Sequence, residues 1–315
     1  MKMLPHGKEI RVLVSKLIAE IDDSLLLLRG EQYLSPKLHT AISKAVPQDL
    51  LAQCFSITKK FEVTNIDPIR TIHHFACTGG TLISKCIAAM PNAQLLSEVD
   101  PLSVHEYGRP NFYPTDVIEL LKKSSRGTSV DQIKTIFQSC LKTILADLSA
   151  QGLFLILRDH AHSHYCIGGC VPERPNLREI VREKFSVLSL VTVRDPIDSY
   201  NSLKANNWIQ FSPANFNEYC RRYVTFLHAY ADVPIVRYED FVDEPQLIMK
   251  QICSILTLPF NTDFQDLFDV YKLTGDSGRS GPKISRRSRR QIDMALEEEI
   301  KFSDSYHELC ELLGY

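Results

Sequence analysis

Two glycines between a strand-like stretch and a helix-like stretch set up the first chemistry in this chain. Arg70-Thr71-Ile72-His73-His74-Phe75 reads as a strand, Ala76-Cys77-Thr78-Gly79-Gly80-Thr81 as a tight turn, and Leu82 to Met90 as a helix stopped by Pro91-Asn92. Glycines there let the backbone approach an anion, and the free N–H groups and dipole of a helix start point at it. Thr78 and Thr81 add hydroxyls. The Lys and the G-x-x-x-x-G-K-[ST] spacing of a Walker A loop are missing, so the turn is a different anion cradle or a plain βα connection. Two more reactive stretches end apolar runs: Arg158-Asp159-His160 and Arg194-Asp195-Pro196. A Gly-rich loop, Thr274 to Pro282, precedes Lys283, Arg286, Arg287, Arg289 and Arg290, which read equally as a solvated helix face or an anion clamp. His160, His162 and His164 alternate, with Cys166 and Cys170 near; in a strand the three imidazoles would share a face. Structural zinc wants four clean ligands, and no metal is expected.

The elements that must position these residues follow from hydrophobic period. Gln94–Val99, Leu153–Arg158, Val187–Val193 and Val233–Arg237 read as further short strands, the middle two continuous enough for a buried parallel sheet. Helices alternate with them. One runs behind Ser129 and Gln132, a capping box, and stops at Gly152; others open at Ser212-Pro213 and at Pro245. Residues 103 to 128 read as loop. Before all of this, roughly the first 60 residues form a helical preface, with apolar side chains at helical spacing from Ile10 to Leu28 and a Ser35-Pro36 helix start. Alternating strands and helices predict an α/β fold with a mainly parallel sheet covered on both faces, ligands collecting at the strands' carboxyl ends.

Composition narrows the classes. The 315 residues are 44% hydrophobic with a net charge of -2, an ordinary globular balance with no overall pull toward nucleic acid. Nine cysteines without a C-x-x-C pair suggest reduced thiols, and no uncharged apolar run reaches membrane-spanning length. A soluble, cytoplasmic protein with one domain over 1–315 is expected.

Four segments in chain order resemble the sulfotransferase superfamily, which uses 3′-phosphoadenosine 5′-phosphosulfate: the Thr78–Thr81 turn, Arg158-Asp159-His160, Val193-Arg194-Asp195-Pro196 with Ser202 eight residues after Arg194, and the Gly/Arg loop from Gly275 to Arg290. Val236-Arg237-Tyr238-Glu239-Asp240 is similar to the family's late R-Y-E-D segment. The resemblance implies a P-loop-like three-layer α/β/α fold with a nucleotide-binding core over about 70–290, the helical segment to about residue 62 lying outside it. It implies the 5′-phosphosulfate on Cys77, Thr78, Gly79, Gly80, Thr81 and Leu82, and the 3′-phosphate on Arg194 and Ser202, with Arg279 in the late loop. A phosphate dianion suits a rigid guanidinium beside a hydroxyl. Cys77 departs from the family, which places Lys or Arg there to neutralise the leaving oxygen; Arg158 could substitute, its planar fork binding phosphate well.

Sulfuryl transfer to a hydroxyl or amine acceptor also needs a base. The resemblance offers two: His160, as in the Lys-x-His of cytosolic members, and Glu98, placed like the catalytic Glu of tyrosylprotein sulfotransferases. Imidazole suits the task because its ordinary pKa lies near neutral, and His160 is the preferred reading. The acceptor itself is unnamed, its pocket expected from residues 100 to 130 and 205 to 220. Two other readings stay open: a P-loop nucleotide-dependent kinase, and a catalytically silent nucleotide-binding or interaction protein, which Cys77 favours.

Overall fold

The computed structural model describes residues 67–103, 115–273 and 283–315. The helical preface, part of the expected acceptor loops (104–114) and Arg279 lie outside the described residues.

Five strands form the central sheet: β1 (Ile69–His74), β2 (Ala93–Val99), β3 (Phe154–Asp159), β5 (Val187–Val193) and β7 (Ile235–Arg237), in the order β2-β3-β1-β5-β7. Every pairing is parallel, with Ile72 of β1 opposite Leu190 of β5 and Arg158 of β3. A separate two-stranded ladder joins β4 (Ile167–Gly168) to β6 (Gln210–Phe211).

Alternation along the strands divides the core between two faces. Leu155 and Leu157 point to one side, where they meet helices α3 (Val130–Ala150) and α5 (Leu177–Arg182). Ile156, Ile72, Leu190 and Val236 point to the other, against α1 (Gly80–Ala88), α8 (Tyr238–Asp243) and α9 (Pro245–Leu256). On the first face, Val191 and Val193 continue into an aromatic cluster with α7 (Phe216–Ala229), where Phe75 stacks on Tyr223 at 4.5 Å. This is the three-layer α/β/α arrangement expected from the sequence.

Strand order fixes where ligands can collect. From β1 the chain runs outward to β2 at the sheet edge; after β3 it crosses to β5 on the other side of β1. The reversal opens a crevice at the carboxyl ends of β1, β3 and β5. Among the described residues no helix is long and apolar enough to cross a membrane.

Several local expectations change. Residues 117–122, read as loop, form a helix, α2 (Val117–Lys122), capped by Asp116. Ser129 caps α3, but Gln132 accepts from Thr128 instead of completing a box. Helix α7 starts after Asn215, whose side chain accepts from the Glu218 N–H, not at Ser212-Pro213. The basic run 283–293 is neither helix nor strand, so it is no helix face. After it, α10 (Met294–Phe302) and α11 (Asp304–Leu313) return Leu296, Leu309 and Leu313 to the aromatic core.

Candidate functional site

The Gly-Gly turn leaves β1 at His74 and enters α1 through two left-handed residues, Cys77 (φ 63°) and Gly79 (φ 85°). Its glycines answer a packing demand. A Cβ on Gly79 would lie 2.6 Å from Tyr238 Cε2, and one on Gly80 2.8 Å from His74 Nδ1, with other ring atoms closer still. The two threonines differ. Thr78 is fully buried and donates its hydroxyl to the Phe75 carbonyl at 2.8 Å, so it stabilises the turn from within. Thr81 faces the crevice and accepts from Arg158 Nη2 at 2.9 Å.

Arg158, from β3, is the cation of this turn. Its guanidinium also reaches Ser97 Oγ at 2.9 Å, His74 Nε2 at 3.0 Å and Glu98 Oε1 at 2.7 Å. Glu98 gets there through an irregularity at the end of β2. The register with β3 shifts between Leu96 and Val99, and Glu98 adopts a φ of 59°, as in a bulge that re-aims a side chain. Its second oxygen lies 3.3 Å from His160 Nε2. The two residues that compete for the base in the sequence are therefore one paired unit. Burial raises the Glu98 carboxyl above its usual range, with Arg158 opposing. Arginine can only donate, so His74 accepts at Nε2 and carries its proton on Nδ1. That Nδ1 is buried with no hydrogen-bond partner among the described residues. Burial first, then the Arg158 charge, hold the His74 pKa well below the ordinary imidazole value.

Arg194 directly follows β5. Asp195 caps α6 (Pro196–Ala205) by accepting the Asp198 N–H at 2.9 Å, and Pro196 sits in its first turn. The Arg194 guanidinium is partly buried and loosely held. Nη1 is 3.5 Å from the Cys77 carbonyl, Nη2 4.0 Å from Asp198, and Nε has no hydrogen-bond partner among the described residues. Its broad face lies 4.8 Å over the Tyr238 ring. Ser202, two turns along α6, donates to the Asp198 carbonyl at 2.8 Å.

The basic run splits by side-chain direction. Arg286 pairs with Asp243, and Arg289 with Asp195 at 2.7 Å and Asp198 at 3.0 Å. Arg287 and Arg290 line the crevice. Two of these arginines are thus ion-paired and two face the crevice, none of them on a helix.

These groups enclose a cleft of about 550 Å³. It brings together Cys77, Thr78, Gly79, Gly80, Thr81, Leu82, Glu98, Arg158, His160, Arg194 and Ser202. Its walls also carry Asn206, Trp208 and Gln210, from the 205–220 stretch expected to build the acceptor pocket, and His74 and Tyr238, which sequence reasoning missed as site residues. Of these two, Tyr238 had a signal, the R-Y-E-D stretch. The alternating histidines do not share a strand face, because residues 161–165 turn as a short helix, α4 (Ala161–Tyr165). His162 Nε2 pairs with Gln210 at 3.2 Å and His164 Nε2 with the Pro172 carbonyl at 3.2 Å. Among the described residues no group of three His, Cys, Asp or Glu is arranged to hold a metal ion.

Cys77 is not an activated thiol. Burial pushes its pKa up to about 12, with the Arg194 charge opposing. At pH 8 its thiolate fraction is then on the order of 10⁻⁴, and thiolate is the nucleophile. Iodoacetamide at pH 8 should therefore label the exposed Cys140 and Cys170 well before Cys77, read by peptide mass spectrometry. Labelling of Cys77 first would contradict this environment.

No protein-family model matches the chain, and no curated protein does. Among solved structures it is similar to the sulfotransferase domain of the Synechococcus PCC 7002 olefin synthase, at 19% identity over 80% of this chain and 96% of that one, TM-score 0.42. It is also similar to a sulfotransferase from Alicyclobacillus acidocaldarius, at 13% identity over 78% and 96%, TM-score 0.41. A third is mouse sulfotransferase SULT7A1 complexed with PAP, at 12% identity over 78% and 89%, TM-score 0.40. Each of these three solved chains is a sulfotransferase or a sulfotransferase domain.

Proposed function

We propose that this chain is a sulfotransferase that takes a sulfuryl group from 3′-phosphoadenosine 5′-phosphosulfate to a hydroxyl or amine acceptor, with residues 70–290 as its nucleotide-binding core. The observation that carries this reading is Arg194: a partly buried guanidinium whose Nε is buried without a hydrogen-bond partner among the described residues and whose other polar contacts are long, lining the same cleft as the Gly-Gly helix start. A buried donor without an acceptor costs roughly 1–3 kcal/mol, which an anionic ligand would recover.

The residues present fit the nucleotide. Arg194 and Ser202 would hold the 3′-phosphate, Ser202 releasing its hydroxyl from the helix carbonyl, with Arg287 and Arg290 adding positive charge. The Cys77–Leu82 turn would hold the 5′ end. Bound there, the nucleotide supplies the sulfuryl group and a phosphate as leaving group. Arg158, held against Thr81, balances the negative charge left on that phosphate and takes the part of the cation that Cys77 does not provide. With Glu98 ionised, His160 donates Nε2–H to it, and the lone pair on Nδ1 takes the acceptor's proton as the acceptor atom gains the sulfuryl group. Glu98 then stabilises the imidazolium. The inert Cys77 is the observation that favours a catalytically silent nucleotide-binding protein instead, and detection of sulfated product decides between the two.

Calorimetry with adenosine 3′,5′-bisphosphate and adenosine 5′-monophosphate tests the reading. Arg194→Ala should weaken the bisphosphate by about 10–100-fold, the range for a hydrogen bond to a charged group. The monophosphate should change by less than about threefold. Equal losses for both ligands, or none for either, would remove Arg194 from the site.

A further inference from the structure

Between Arg158 and His160 stands a carboxylate that the transfer step does not use. Alternation along β3 sends Arg158 toward the cleft and Asp159 to the opposite face, the one that carries Leu155 and Leu157. Asp159 is buried there, and among the described residues no Lys or Arg stands within ion-pair distance of it. Its Oδ2 instead accepts twice, from His73 Nδ1 at 2.7 Å and from the Tyr230 hydroxyl at 3.0 Å. His73 is fully buried in β1, its ring stacked on Tyr230 at 4.3 Å. From His73 a file of hydrogen bonds crosses the sheet to the surface. Its Nε2 meets Thr71 Oγ1 at 2.9 Å, Thr71 meets Ser189 Oγ at 2.8 Å, and Ser189 meets Arg178 Nε at 3.2 Å. Arg178 is paired in turn with the exposed Asp232. Arginine can only donate, so Ser189 accepts from it and can pass its own hydrogen to Thr71, Thr71 its hydrogen to Nε2, and His73 its Nδ1–H to the carboxylate. Every donor in the file then has an acceptor, and all of them point toward Asp159.

Apolar side chains would fill this face at lower desolvation cost, since a buried carboxylate is costly unless it is fully hydrogen-bonded. What the file secures is the end of β3. Arg158 has partners of its own on the cleft side, Ser97, Glu98, His74 and Thr81. His160 lies one residue beyond the strand, where the chain leaves the sheet for α4, and its N–H reaches the Val99 carbonyl at 3.2 Å. The direction of its imidazole toward Glu98 therefore depends on the backbone at Asp159, the last residue of β3. We propose that Asp159 and His73 are positioning residues that fix this strand end and so aim His160 at the acceptor. Neither residue lines the cleft; both act through the backbone, from the far face of the sheet. This rests on the proposed function and extends it, because a base needs a defined direction as well as a proton affinity.

Single-turnover transfer at saturating nucleotide and acceptor, beside calorimetry with adenosine 3′,5′-bisphosphate, separates aim from fold. His73→Leu should slow transfer at least about tenfold while bisphosphate affinity changes by less than about threefold, because misdirection of a base costs rate and not binding. His73→Asn, whose Nδ2 can stand where the imidazole Nδ1 stands, should recover most of the rate, although both variants disturb a packed core and melt lower than wild type. A wild-type rate in folded His73→Leu, parallel losses of rate and affinity, or an Asn variant as slow as the Leu variant overturns the inference and leaves the proposed function standing. If neither His73 variant folds, Tyr230→Phe decides. It keeps the stacked ring and removes one hydrogen bond to Asp159 Oδ2. Transfer should then slow about two- to fivefold, the worth of a single hydrogen bond, with bisphosphate affinity unchanged; a wild-type rate there overturns the inference. A wild-type chain that binds the bisphosphate but sulfates no acceptor in the screen overturns the proposed transfer, and the role of His73 and Asp159 with it.

Discussion

His160→Ala should bind the bisphosphate nearly as wild type but transfer sulfuryl about 10²–10⁴-fold more slowly, the usual contribution of a positioned base. Single-turnover transfer, with an acceptor found by screening, is the measurement. Read from sequence alone, Glu98→Gln should cost much less, because Glu98 is only the reserve base. The structure changes that expectation. Glu98 holds His160 Nε2 through one oxygen and Arg158 through the other, so the amide would remove the charge that steadies the imidazolium and leave buried Arg158 short of its anion. Glu98→Gln should therefore slow transfer by roughly tenfold or more, yet less than His160→Ala. A larger loss in Glu98→Gln would make Glu98 the base and His160 its partner. Wild-type rates in both variants would exclude the pair from the chemistry.

Gly79→Val should damage the fold itself. Sequence reasoning expects lost donor binding in a protein that still melts cooperatively, because the glycine is taken as room for a phosphate. In the structure that room belongs to Tyr238. A branched residue at φ 85° is a backbone outlier, costing about 1–3 kcal/mol, and overpacking against a buried ring costs about 1–3 kcal/mol more. At roughly 2–4 °C per kcal/mol, the melting temperature should fall by about 10 °C. Gly127→Val is the control: its φ is 64°, but no atom lies within 4 Å of an added Cβ, so only the backbone cost applies. Equal shifts in the two variants would remove the steric account of the turn.

The sequence by itself determined the strands of the central sheet and several helix starts. Val187–Val193 matches the strand read from an apolar run, and the helix at Pro245 starts where the proline was read to open it, because hydrophobic period, N-caps and prolines act within a few residues of one another. The spacing of Arg194 and Ser202 was equally legible, since a helix of known pitch joins them. Tertiary structure alone decided what those residues meet. Whether Glu98 and His160 are rivals or partners depends on the parallel register of β2 on β3 and on a one-residue irregularity that turns Glu98 into the cleft. Which arginines of the late run face the crevice depends on where Asp195, Asp198 and Asp243 stand to capture the others. That Gly79 answers to Tyr238 depends on β7 delivering a ring across the sheet. Local spacing carries no such information, because strand register and side-chain direction are settled only when distant segments pack, and a shift of one residue would point each side chain to the opposite face.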